Sequence, residues 1–139
     1  MYDRIELNNL IKDSANGEAF AQTKLGARYY YGNGVTPNFY KAIDLWKKAA
    51  NQGYAKAQFN LGRMYISGRG ISQDDELGIY WITKAAEQEY SDAQALLGAY
   101  LYEGNRVEKD IKKGLYYLNR SIANGNEVAK MYKESNGIE

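Results

Sequence analysis

The segment Leu25-Gly26-Ala27-Arg28-Tyr29-Tyr30-Tyr31-Gly32-Asn33-Gly34-Val35 returns as Leu61-Gly62-Arg63-Met64-Tyr65-Ile66-Ser67-Gly68-Arg69-Gly70-Ile71. It returns once more, altered, as Leu97-Gly98-Ala99-Tyr100-Leu101-Tyr102-Glu103-Gly104-Asn105-Arg106-Val107. The Leu-Gly glycine stands at 26, 62 and 98 and the later glycine at 32, 68 and 104, a constant advance of 36 residues. A fixed period of this size marks stacked supersecondary units, none of which buries its apolar face alone. Such arrays build extended surfaces for holding a partner rather than one enclosed chemical pocket.

Each unit reads as two helices and two turns. In the middle copy the first helix is expected over about Ala55 to Ser67, with Ala57, Leu61, Tyr65 and Gly62 sharing a face by their spacing. Glycine inside a helix costs about 1 kcal/mol relative to alanine, so its return at 26, 62 and 98 points to a close helix approach there. Ser67-Gly68-Arg69-Gly70 then ends the helix with residues that tolerate positive φ. The second helix starts near Asn38, Asp74 and Asp110, each suited to cap exposed N–H groups. Ala42, Leu45, Trp46 and Ala49 form its apolar stripe in the first copy. Asn51-Gln52-Gly53 closes that helix, whereas Glu87-Gln88-Glu89 closes its counterpart without glycine.

Extended backward, the register makes the start of the chain a half repeat; extended forward, it puts Lys133-Glu134 where Leu-Gly belongs, in a polar closing helix. The expected plan is therefore one domain over 1–139. A capping helix spans 5–16, repeats follow at about 17–52, 53–88 and 89–125, and a second capping helix spans 126–136. No segment has strand periodicity, and no linker divides the chain.

The composition narrows the chemistry. Zero cysteine removes disulfides, thiolate nucleophiles and soft metal sites, and zero histidine removes the commonest metal ligand and general base. With 18 basic against 17 acidic side chains, no global field gathers nucleic acid or an anionic membrane. The first ten residues interrupt their apolar side chains with charges and show no signal-peptide stretch, and no apolar run reaches transmembrane length, so a cytoplasmic location is expected. Gly32-Asn33-Gly34 and Gly68-Arg69-Gly70 follow helices and lack the third glycine of a dinucleotide fingerprint. Asp74-Asp75-Glu76 reads as helix capping rather than a cation site. No catalytic residue, metal or cofactor is expected.

The repeated residues resemble the Sel1-like repeat family of the tetratricopeptide-like superfamily. The resemblance rests on Ala57-Gln58, Leu61-Gly62, Tyr65, Gly68-x-Gly70-Ile71, Trp81 and Lys84-Ala85-Ala86-Glu87-Gln88, and on their counterparts in the first copy. Departures gather in the third copy: Leu101 for tyrosine, Arg106 for glycine, Gly114 for alanine, and Ser121-Ile122 for Ala-Ala. The resemblance implies an all-α, right-handed α-solenoid that works as a non-enzymatic protein-interaction module, an adaptor or scaffold, often bacterial when this short. Two alternatives stay open: an immunity-type protein that neutralises a toxin by binding it, and a structural protein that stacks end to end. Polar Lys133 and Glu134 weigh against the second, so a monomer is expected.

In two-helix solenoids the first helices line the concave face. Mapped through the register, the candidate contacts to a protein or peptide are Thr23, Tyr30, Tyr31, Phe59, Arg63, Ile66, Ser67, Tyr102 and Glu103, interleaved with Ala27, Ala95 and Ala99. Aromatics and arginine dominate interface energetics, so the groove is expected to centre on Phe59 and Arg63. Tyr29 and Tyr65 are core positions in this reading, and other tyrosines of the 14 also suit a core or its rim.

Overall fold

The computed structural model describes residues 3–139, and among them it holds eight helices and no strand. Helix α1 (Arg4–Ala15) is followed by three helix pairs, α2 (Ala19–Tyr31) with α3 (Phe39–Asn51), α4 (Ala55–Ser67) with α5 (Asp75–Glu87), and α6 (Ser91–Glu103) with α7 (Ile111–Ala123). Helix α8 (Glu127–Ser135) closes the chain. Each helix packs on its neighbours in sequence and α8 also reaches α6, so the elements form an all-α solenoid.

Local chemistry sets the helix boundaries. Helices α2, α4 and α6 end on Gly32, Gly68 and Gly104, all left-handed with φ of 73°, 71° and 70°. The chain then turns back so that the N–H groups of Asn38, Asp74 and Asp110 donate to the carbonyls of Tyr29, Tyr65 and Leu101 at 2.8, 2.9 and 2.9 Å. Because a backbone carbonyl makes this bond, leucine replaces tyrosine at 101 without loss of the turn. The side chains of the same three residues accept from the N–H groups of Lys41, Leu77 and Lys113, capping α3, α5 and α7 as expected.

The repeated glycines do bring helices together. A Cβ at Gly62 would stand 2.8 Å from the Gly78 carbonyl oxygen, and one at Gly98 would stand 3.0 Å from that of Gly114. In the first pair the helices are held apart instead by Trp46, whose indole lies against Gly26 and donates to the Thr23 carbonyl at 3.0 Å. The α3 stripe differs from its sequence reading. Ala42, Trp46 and Ala49 are buried, but Ile43 and Ala50 join them and Leu45 is only partly covered. Ile43 is drawn inward because the next repeat's turn, at Gly70, settles onto α3 beside it.

A ladder of amides locks the stacking between repeats. The Gln52 Nε2 donates to the Gly17 carbonyl and to the Gln22 Oε1, while the Gln22 amide reaches the Ser14 carbonyl. One period later Gln88 donates to Gly53 and Gln58, and Gln58 to Ala50. Two periods later Asn124 donates to Gln94, and Gln94 to Ala86. Gln22, Gln58 and Gln94 are buried, so each amide group satisfied in this way avoids a desolvation cost of about 1–3 kcal/mol.

Candidate partner-binding groove

Helices α2, α4, α6 and α8 stand side by side, and furrows open between them. The furrow between α2 and α4 is a cavity of about 200 Å³, walled by Ala27, Tyr30 and Tyr31 on one side and Lys56, Asn60 and Arg63 on the other, over Trp46 and Met64. A second cavity, about 370 Å³, runs from Tyr30 and Arg63 past Ser67 to Leu96 and Tyr100. The third, about 540 Å³, lies across α4, α6 and α8, where Phe59 and Arg63 face Asp92, Ala95, Leu96, Ala99, Val128 and Tyr132. Arg63 borders all three, so they form one continuous groove with its guanidinium at the centre.

The structure brings together Tyr30, Tyr31, Arg63 and Ser67 along this groove. Five of the expected contacts are placed otherwise than expected. Thr23 is buried, its hydroxyl donating to the Ala19 carbonyl at 2.8 Å, because its side of α2 is covered by Trp46. Phe59, 9% exposed, packs its ring on Tyr90 at 5.5 Å and offers the third furrow a wall rather than a protruding anchor. Ile66 is buried because its side chain fills the space over Gly78, leaving only an edge to the groove. Tyr102 and Glu103 border none of the three cavities. The α6 backbone at Tyr102 lies against Gly114, and Glu103 accepts a hydrogen bond from the Tyr132 hydroxyl.

Half of the groove was not anticipated. Each furrow has two walls: Tyr30 and Tyr31 belong to the side of a helix that faces the next repeat, Lys56, Asn60, Leu96, Tyr100, Val128 and Tyr132 face the preceding one, and Arg63 borders furrows on both sides of α4. Lys56, Asp92 and Val128 lie one period apart, as do Asn60, Leu96 and Tyr132, so the 36-residue register already aligned them. What the sequence lacked was which side of the first helix closes against which neighbour.

Electrostatically the groove is divided. The Arg63 guanidinium lies at 5.5 Å over the ring of Phe59, which walls the third furrow, and at the second furrow Arg69 Nη1 donates to the Tyr30 hydroxyl at 2.9 Å. Tyr30 in turn meets Tyr31 edge-on at 4.8 Å and Trp46 at 5.8 Å, which fixes the aromatic wall. In the third furrow Asp92 is held by Asn126 Nδ2 at 2.8 Å. Burial first, then Asp92, raises the Tyr90 hydroxyl above its usual pKa, with Arg63 opposing them. Burial and its bond to Glu103 likewise raise Tyr132. Both hydroxyls are therefore neutral donors at physiological pH. Among the described residues no cluster of acidic side chains is placed to hold a metal. The groove offers donors, one central cation and aromatic surface, which is the chemistry of recognition.

The Sel1 repeat family model matches residues 19–54, 55–90 and 91–126. The chain belongs to the Sel1 repeat family. Sel1 repeat proteins are in general protein-interaction modules. A Sel1 repeat protein from Oxalobacter formigenes is 35% identical, with a TM-score of 0.83 over 94% of this chain and 98% of its own. The protective antigen c5321 of uropathogenic Escherichia coli, which displays the same repeat fold, is 34% identical with a TM-score of 0.83, over 93% of this chain and 29% of its own. No curated protein matches the sequence significantly.

Proposed function

We propose that this Sel1 repeat chain is a non-catalytic adaptor that binds a protein or peptide along the groove of α2, α4, α6 and α8. The observation that carries the reading is the run of three furrows sharing Arg63, rimmed by side chains of the types that anchor interfaces. Tyr31, 67% exposed, and Arg63 are the protruding members of that rim and are named here as the principal contacts. The chain acts as a monomer in the cytoplasm in this reading. Lys133 is turned back to Asn119 at 2.8 Å and Glu134 is exposed, so polar side chains stand where Leu-Gly would continue the array, although Val128 and Met131 of the same helix are exposed as well.

The test is affinity capture with wild type and a Tyr31→Ala/Arg63→Glu protein of unchanged melting temperature, followed by calorimetry with the purified partner. Truncating an anchor costs about 2 kcal/mol or more, so the double variant is expected to bind at least about thirtyfold more weakly. Equal binding by both proteins overturns the groove.

A further inference from the structure

We infer that the groove is made for an acidic segment of a partner protein, with one carboxylate seated in the furrow between α2 and α4 and an apolar side chain in the furrow across α4, α6 and α8. This deepens the binding role proposed above and rests on it. The first observation is a stripe of donors. Lys56, Asn60 and Arg63 follow one another at i, i+4 and i+7 on α4, so they share one face, and all three border the first furrow. None of their side chains makes a hydrogen bond or ion pair within the described residues; Arg63 stacks on Phe59 and acts on the Tyr90 hydroxyl through its charge. Arg28, Arg106 and Arg120, by contrast, each meet a carboxylate.

Lys56, Asn60 and Arg63 put an ammonium, an amide and a guanidinium on one wall of a small cavity, a donor set suited to a carboxylate. The guanidinium supplies a two-pronged donor and the other two fill the remaining lone pairs. The Phe59 ring holds Arg63 against α4, so little side-chain freedom is lost on binding. Tyr30 and Tyr31 wall the other side and offer aromatic surface to the bound segment beside the charge contact.

The third furrow selects differently. Ala95, Leu96, Ala99 and Val128 make it apolar, and the Asp92 carboxylate at its rim repels a second acid. Packed helices lie about 8–10 Å apart and an extended chain advances about 3.3 Å per residue, so the acidic and apolar side chains sit about three residues apart in the bound segment. A balanced total charge of +1 leaves the cations local, which suits one or two carboxylates and not a polyphosphate backbone.

The test is selection from a random dodecapeptide library displayed on phage, followed by fluorescence polarisation with fluorescein-labelled synthetic peptides. The expected result is enrichment of Asp or Glu with an apolar residue two to four positions away. Binding should fall about tenfold or more in Arg63→Glu and severalfold in Lys56→Ala, and weaken as salt rises from about 50 to 300 mM. Arg63→Gln replaces Arg63→Glu if melting shows the latter unfolded. Neutral or basic peptides that bind and are lost in the same variants overturn the acidic assignment while leaving the groove in place. Acidic peptides that bind all variants equally overturn both. A phosphotyrosine peptide bound more than about tenfold tighter than its glutamate counterpart reassigns the site to phosphate. Selection that returns no peptide above background overturns the inference, and the capture experiment then judges the groove independently.

Discussion

The first and third repeats occupy the same register and are closed by opposite chemistry. In the first, α2 and α3 are wedged by Trp46 over Gly26, Ala42 fits beside it, and the following turn lies flat on α3 because Gly70 has no side chain to meet Phe39. In the third, α6 and α7 touch backbone to backbone through Gly98 and Gly114, Ser121 takes the place of a core alanine, and Arg106 takes the place of the turn glycine. The departures come with their compensations. Arg106 pairs at 3.0 Å with Asp75, which stands where Phe39 stood one period earlier, and Ser121 donates to the Ser91 carbonyl at 2.7 Å. A repeat is thus specified by mutually adjusted pairs, and a change at one member is tolerable only with the matching change at the other.

Truncating the wedge breaks the comparison most severely. Trp46→Ala removes a buried indole and its hydrogen bond to Thr23, and loss of a buried aromatic costs about 3–5 kcal/mol. Urea unfolding followed by circular dichroism should show it, and a cost below about 1 kcal/mol means that α2 and α3 collapse together through the glycine as the later pairs do. The reverse experiment overfills the later kind of contact. Gly114→Ala places a Cβ 2.7 Å from the Tyr102 backbone nitrogen, which no rotamer relieves. A net loss of about 2 kcal/mol is expected even though alanine favours the helix, because overpacking against backbone outweighs about 1 kcal/mol of propensity. Ser121→Ala restores the residue type of Ala49 and Ala85 but leaves the Ser91 carbonyl without its donor, for a loss of about 1 kcal/mol. Neutral behaviour there means that the hydroxyl adds nothing to the third pair.

These pairings explain what the sequence displayed and what it withheld. Caps, helix limits and the close approach at Gly62 were legible because each depends on residues within one turn or on the strict register. Arg63 was legible as a groove residue for the same reason. The burial of Thr23 and Phe59 was not, since it depends on Trp46 and Tyr90, side chains from the turn or helix that follows. The backward-facing wall of Lys56 and Asn60 was missed because one helix's periodicity identifies its faces without saying which neighbour each meets. The amide ladder carried a visible trace, Gln or Asn at 52, 88 and 124, whose partners 30 residues earlier only the stacking reveals.

The smallest expected effects test whether the third repeat's strained turns are held by their ion pairs. Glu89 and Arg106 are the non-glycine residues with positive φ among the described residues, 64° and 66°, at sites where the other copies carry glycine. Such backbone costs roughly 1 kcal/mol or more for a side-chain-bearing residue, whereas an exposed ion pair returns at most about 1 kcal/mol. Arg106→Gly should therefore leave stability unchanged or raise it by up to about 0.5 kcal/mol, read as a small shift in urea midpoint. Glu89→Gly carries a second readout. The Glu89 carboxyl is held below its usual pKa, first by the Asn124 amide and further by Arg120, against an opposing effect of burial. A depressed folded-state pKa adds stability above the unfolded-state value near 4.5 that is lost as the pH falls through the folded value. Wild type should thus lose stability more steeply than Glu89→Gly from about pH 5 downward, while the variant matches or exceeds it where strain relief dominates. Parallel acid profiles in melting experiments mean that the Glu89 contacts to Arg120 and Asn124 hold nothing in place, and the third repeat then tolerates its strained turn without compensation.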